Sequence, residues 1–329
     1  MKAQFEARLE LFAQNTQTIK KAFAWKSGQI NRLAALLYTA ENKTVDVDAI
    51  RGSSDLIKST TGPFSTFRGN LSVCIAALLS LSNGKEALLA DTLTVYDLLK
   101  GLKFRASDYL VVAAYQIAAH TTPDQHQRTA DRARHFYDSM KANHRFLTGQ
   151  DDYIFAAMLA LSDLEPERGT ARMEQLYAEL KPEFLSGNSV QALTQVLVLG
   201  EDTPEAAARV LALRDAFRTR NIRLDKEYTL SSLGVLSLLP AGHETLVQDI
   251  SDTYESLRTK KGFGSWSITK QELLLLSAAL VAYKQIDELK SGVLTAALST
   301  SLTNIVIAQQ TAIAVAATSS AAAASYASH

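Results

Sequence analysis

A single cysteine, six prolines and an exact balance of charge set the first limits on this 329-residue chain. Cys74 alone cannot close an internal disulfide, so packing must hold the fold, and a reducing, cytoplasmic setting is expected. Lys plus Arg and Asp plus Glu number 34 each, which leaves no net field to gather nucleic acid or an anionic membrane. No nucleic-acid partner is expected. The opening "MKAQFEARLELFAQ" mixes charges among its apolar residues and lacks the apolar core of a secretion signal. Apolar runs ahead of residue 291 reach only about 8 to 12 residues, short of the ~20 that a spanning helix needs, which weighs against membrane contact.

Chemical signatures are also scarce. There is no glycine-rich phosphate loop, no G-x-S-x-G and no H-E-x-x-H or Cys/His zinc spacing. "KGFGSW" has the glycines but no following Lys-Ser/Thr. Four histidines, His120, His126, His135 and His144, lie close in sequence, but no two stand at i, i+4 on a helix face. Arg128, Arg132 and Arg134 interleave with Asp124, Asp131 and Asp138, the pattern of an internally paired, solvated face. No metal, no cofactor and no catalytic residue is therefore assigned, and the chain is not placed as an enzyme or a non-enzyme.

What is present is a period. Ala/Leu-rich segments recur as "NRLAALLYTA" (31–40), "LSVCIAALLSLS" (71–82), "YLVVAAYQIAAH" (109–120) and "YIFAAMLALSD" (153–163), then at 190–200, 228–239 and 272–283. Between them run amphipathic segments centred on Tyr96, Tyr137, Tyr177, Phe217 and Tyr254, spaced 41, 40, 40 and 37 residues apart. A third landmark, Phe64, Phe104, Phe146, Phe184, Ile222 and Phe263, keeps a similar spacing and would close each unit. Segments apolar on all sides predict helices covered from several directions, and segments with one apolar stripe predict helices packed on one face. Breakers such as "SNGKE", "TTPDQ" and "GEDTPE" separate the two kinds.

The fold class expected is all-α: about seven tandem helical hairpins of roughly 40 residues, stacked because no single hairpin can bury its own apolar face. An open α-solenoid and a closed α/α toroid both satisfy the pattern. Residues 1–290 are read as one helical-repeat domain. Residues 291–329 carry no charge except at the terminal histidine and are read as an Ala/Ser-rich helix or tail.

In "FLTGQDDYIFAAMLALSD" two adjacent carboxylates, Asp151 and Asp152, open an apolar helix. Side chains that accept hydrogen bonds are favoured there, because the first N–H groups of a helix lack partners. Equivalent connections carry "FRGN", "RASDY", "SGNS", "LDKEY" and "GSWSITK", so helix capping is the first reading of these residues. Stacked hairpins would also bring these connections to one rim. Arg68, Arg105, Asp108, Asp151, Asp152, Asp225, Lys226 and Trp266 form the candidate rim site, since helix N-termini attract anions. The spacing D-D-Y-I-F does not match the aspartate-rich D-D-x-x-D of toroidal terpenoid cyclases.

"IKKAFAWKSGQINRLAALLYTAENKTVD", "TGPFSTFRGNLSVCIAALLSLS" and "FLTGQDDYIFAAMLALSD" resemble the bacterial family known as domain of unknown function 4003, and the resemblance runs over nearly the whole chain. It implies a cytoplasmic bacterial protein without an assigned activity, and it transfers no functional residue. Three functions follow from the residues themselves. The first is a binding or scaffolding protein for a peptide or protein partner. The second is a toroidal enzyme with its site at the rim. The third is a structural protein that self-associates through its tail.

Overall fold

The computed structural model describes residues 2–200, 203–226 and 229–290. The uncharged tail beyond residue 290 lies outside the described residues. Among them there are fourteen α-helices and no β-strand.

Each of the seven apolar segments forms a helix: α2 (Gly28–Ala40), α4 (Ser72–Leu81), α6 (Asp108–His120), α8 (Tyr153–Leu161), α10 (Gly187–Leu199), α12 (Leu230–Ser237) and α14 (Lys270–Lys290). In α8 every residue from Tyr153 to Ala160 is buried, and α4 is buried from Val73 to Leu79. Alternating with this buried series are α1 (Lys2–Ala22), α3 (Val47–Thr60), α5 (Lys85–Gly101), α7 (His126–Asn143), α9 (Pro166–Leu180), α11 (Ala206–Thr219) and α13 (His243–Thr259). These outer helices bury one stripe. In α13 it is Leu246, Val247, Ile250, Thr253 and Leu257, an i, i+3, i+4 pattern with Asp and Glu on the other side. Burying each such Leu or Ile contributes about 1.5–3 kcal/mol.

The chain divides into two compact units. The N-terminal unit comprises Glu10–Asp138 and Gly149–Asp163. In it α2 packs on α4, α3 on α4, α5 on α6 and α6 on α8. The C-terminal unit holds residues 2–9, Ser139–Thr148 and the described residues from Leu164 onward. Here α10 packs on α12 and α12 on α14, with α9, α11 and α13 alongside. No helix among the described residues is long and apolar enough to cross a membrane.

Two landmarks need a shift in register. Of the outer-helix landmarks, Tyr96, Tyr137 and Phe217 are buried and Tyr177 and Tyr254 half-buried, and beside the tyrosines Val95, Phe136 and Leu176 lie deeper, at 0 to 1% exposed. In the connections that lead into the buried helices, Phe104, Phe184 and Phe263 are buried as expected. Phe64 and Phe146 are not; they stand fully in solvent, and Phe67 and Thr148 are buried nearby. Leu224 is buried where Ile222 was expected. Loops have no period, so nothing local tells which of two apolar residues a few positions apart turns inward.

Serine and threonine, more than aspartate, cap the buried helices. Ser27, Ser107, Ser186 and Thr269 accept from the amides of Ile30, Leu110, Ser189 and Glu272. Leu71, Asp152 and Thr229 stand at the same position without a side-chain cap.

Candidate functional site

The connections that lead from outer to buried helices lie side by side within each unit. In the N-terminal unit the Lys26 ammonium, ahead of α2, donates to the Gly69 carbonyl at 2.8 Å and the Asn70 carbonyl at 3.3 Å, ahead of α4. A Cβ at Gly69 would lie 2.8 Å from Oδ1 of Asp108, at the start of α6. The Arg105 amide, in the same connection as Asp108, donates to the Tyr153 hydroxyl at 3.3 Å, at the start of α8. Four connections distant in sequence thus form a continuous edge.

Of the rim residues in this unit, Arg68 is half-buried, and its guanidinium donates to the Lys58 and Thr61 carbonyls and to the Thr61 hydroxyl. It therefore closes the C-terminal end of α3, where carbonyls lack helical partners. Asp108 is half-buried in the first turn of α6, and burial raises its pKa although the Lys26 charge opposes the shift. Burial correspondingly lowers that of Lys26, with Cys74 and Asp108 acting against it.

Asp152 is 4% exposed and sits at the N-cap of α8, as sequence placed it, but its carboxylate does not cap that helix. It accepts instead from the Gly149 amide at 2.8 Å, upstream. Asp151, half-buried, leans back over the same glycine. Beside them Phe104, Tyr137 and Tyr153 form a three-ring cluster with centroids 4.8 to 5.4 Å apart. The Arg134 guanidinium lies 5.4 Å from two of the rings and pairs with Asp138. Burial first, and then the Asp152 charge, raises the pKa of Tyr137. No group of three or more His, Cys, Asp or Glu side chains among the described residues is arranged to hold a metal ion.

In the C-terminal unit Asp225 and Lys226 line a pocket of about 310 Å³ together with Glu183, Leu185, Arg218 and Arg223. The Asp225 side chain is 4% exposed. It accepts from Arg218 at 2.7 Å and from Arg223 at 2.9 Å. Burial would raise its pKa, but hydrogen bonds from Arg223 and Arg218 and their charges outweigh burial and hold it low. Trp266 is completely exposed.

A second pocket, of about 500 Å³, belongs to the N-terminal unit. Trp25, Lys26, Arg51, Lys58, Phe67 and Arg68 line it. Sequence reasoning singled out Arg68 alone of these. The signal that could have found the others is "FAWKSG", a tryptophan and a lysine directly before a Ser cap.

Among the described residues, the large apolar side chains that stand exposed are Trp25, Phe64, Phe146, Leu185 and Trp266. Every one lies in a connection that enters a buried helix; the connections that leave those helices expose none among the described residues.

These features define an all-helical protein whose charged pockets and exposed aromatics gather on the connections preceding its buried helices. The chain belongs to the family described as "Protein of unknown function (DUF4003)", which matches residues 15–312. It is similar to the uncharacterized protein YeaA of Bacillus subtilis (strain 168), with 25% identity over 316 residues covering 93% of this chain and 92% of the relative. No solved structure matches it.

Proposed function

We propose that this chain is a helical-repeat binding protein, an α-solenoid or closed α/α toroid of about seven hairpins, that recognises a peptide or protein partner along the connections entering its buried helices. The observation that carries the reading is the placement of Trp25, Phe64, Phe146, Leu185 and Trp266. Scattered exposed apolar residues are ordinary on any surface. Five on one class of connection are a pattern, and Trp and Phe are the residues that anchor protein interfaces. The hydrogen bonds of Lys26 to Gly69 and Asn70, and of Arg105 to Tyr153, hold neighbouring connections rigid, which lowers the ordering cost of binding. A toroidal enzyme would need a rim carboxyl raised toward neutrality inside a pocket; Asp225, in its pocket, is shifted the other way, and Asp108, which burial raises, lines neither of the two pockets described.

A displayed random-peptide library panned on the full chain tests this. The expected result is recovered peptides whose affinity falls at least about tenfold when the five residues are changed to Ser in a variant of unchanged melting temperature. Peptides that bind both proteins equally, or no selective peptide at all, would overturn it.

A further inference from the structure

The pocket beside Trp25 has a charge pattern unlike that of the chain as a whole. Four cationic residues line it, Lys26, Arg51, Lys58 and Arg68, against one carboxylate, Asp55. Asp55 is 2.8 Å from Lys58, and Arg51 is 3.5 Å from Asp48, so these two cations are partly answered. Lys26 and Arg68 are different: their hydrogen bonds go to backbone carbonyls and to the neutral Thr61 hydroxyl. A carbonyl fixes a cation in place without cancelling its charge.

Both side chains have donors to spare. An ammonium has three N–H donors, and Gly69 and Asn70 take two of them. A guanidinium has five, and the contacts of Arg68 engage Nε and one Nη, leaving the other Nη. One further feature favours negative charge, and one works against it. Ser72 and Val73 of the lining open α4, a ten-residue helix with no side-chain cap at Leu71, so its positive end faces the same region. Against it, the Asp108 carboxylate acts on Lys26, although it stands outside the lining. The remaining wall is apolar and aromatic, with Trp25, Phe67 and Ile57, and its volume suits a small molecule.

We infer that this pocket is a binding site for a small amphipathic anion, a carboxylate or phosphate monoester on an aromatic or aliphatic body, with Lys26 and Arg68 holding the anion and Trp25 and Phe67 the body. This site stands apart from peptide recognition along the connections, although Trp25 belongs to both surfaces.

Two tryptophans occur in the chain, so Trp266→Phe leaves Trp25 as the sole indole emitter. Full-length protein carrying that change would be titrated with phenyl phosphate and octanoate. Inorganic phosphate, phenol and octanol serve as half-ligands. The expected result is a saturable change in Trp25 emission, with at least one anion binding about tenfold or more tightly than either of its halves. Lys26→Gln, which keeps a donor but loses the charge, should weaken binding about tenfold, and Lys26→Arg should restore most of it. Added salt should weaken it further. The inference is overturned if the neutral halves match the anions, or if Lys26→Gln binds as tightly as its parent. No saturable change at ligand concentrations of about 10 mM would overturn it equally.

Discussion

The Asp152 carboxylate accepts a hydrogen bond from the Gly149 amide, 2.8 Å away and upstream of the helix that Asp152 begins. An aspartate at an N-cap ordinarily reaches forward to the second or third amide of its helix. Here the backbone of Asp152 already has helical angles, φ −79° and ψ −9°, which turn the side chain away from those amides and into the preceding loop. The carboxylate ties the loop to the helix. Asp152→Asn retains an oxygen acceptor and should cost less than Asp152→Ala, for which a loss of about 1–2 kcal/mol is expected from an orphaned buried amide. Urea unfolding of the two variants checks the order. A larger loss in Asn would show that the negative charge, beyond the acceptor, holds the loop.

Tyr137 and Tyr177, equivalent in the sequence period, should behave differently. Tyr137 is 6% exposed and packs against the rings of Phe104 and Tyr153, so Tyr137→Ala should cost about 3–4 kcal/mol. Tyr177 is half-buried, with its ring 4.2 Å from that of His144, and its truncation should cost about 1–2 kcal/mol. Phe136, fully buried, is the residue whose loss should match or exceed that of Tyr137. Equal effects at Tyr137 and Tyr177 in thermal melts would contradict this ordering.

Helix positions were legible in the sequence because the buried helices are apolar on every side: "YIFAAMLALSD" offers no polar face for a strand or a loop to use. Depth within the outer helices was legible only to the nearest residue. Tyr is bulky and conspicuous, yet the adjacent Val95, Phe136 and Leu176 point further inward. Asp225 and Lys226 could be placed on a connection, but the partners of Asp225 are Arg218 in α11 and Arg223 in the loop, and nothing in "RTRNIRLDKEY" says which charges meet. The pocket at Trp25 depends on α3 and the α3–α4 connection closing over one side of the α1–α2 connection, a tertiary event with no local signature.

Gly234 lies inside α12, where alanine has the better helix propensity by about 1 kcal/mol. Packing reverses that preference. A Cβ at this position would lie 2.6 Å from Leu193 Cδ1 and 3.2 Å from Val196 Cγ1, both side chains of α10 and both fully buried. The glycine is what lets α10 and α12 approach so closely. Gly234→Ala should therefore destabilise the protein by about 1–3 kcal/mol in spite of its propensity gain. A raised melting temperature would show that the two helices can separate without cost.

Cys74 is 2% exposed on α4, and its thiol faces the Ile30 carbonyl at 3.6 Å. Burial pushes its pKa up to about 12, with Lys26 opposing and Asp108 assisting. Since the thiolate is the nucleophile, native Cys74 should be inert to a disulfide reagent such as DTNB at pH 8. Reaction should appear only with unfolding, so its rate should follow the urea transition. Labelling of the native protein at the rate of a free thiol would mean that α4 opens from α2 far more often than a core helix should.

Asp225 makes the most direct claim about pH. Its folded pKa lies below the ordinary value of 3.8 because Arg223 and Arg218 hold the carboxylate against the effect of burial. A depressed folded value means that the unfolded chain binds the proton more readily. The stabilisation is therefore fully present above the unfolded pKa, and it is lost as pH falls through the folded one. Asp225→Asn should lower stability at pH 7 by about 2 kcal/mol, the scale of charge-assisted hydrogen bonds with one side chain 4% exposed. It should also flatten the fall in stability between about pH 4 and pH 2 relative to the parent. Melting temperatures taken across that range for both proteins give the comparison. Parallel curves, offset by a constant amount, would mean that Arg218 and Arg223 hold Asp225 through geometry alone and that its charge contributes nothing to the fold.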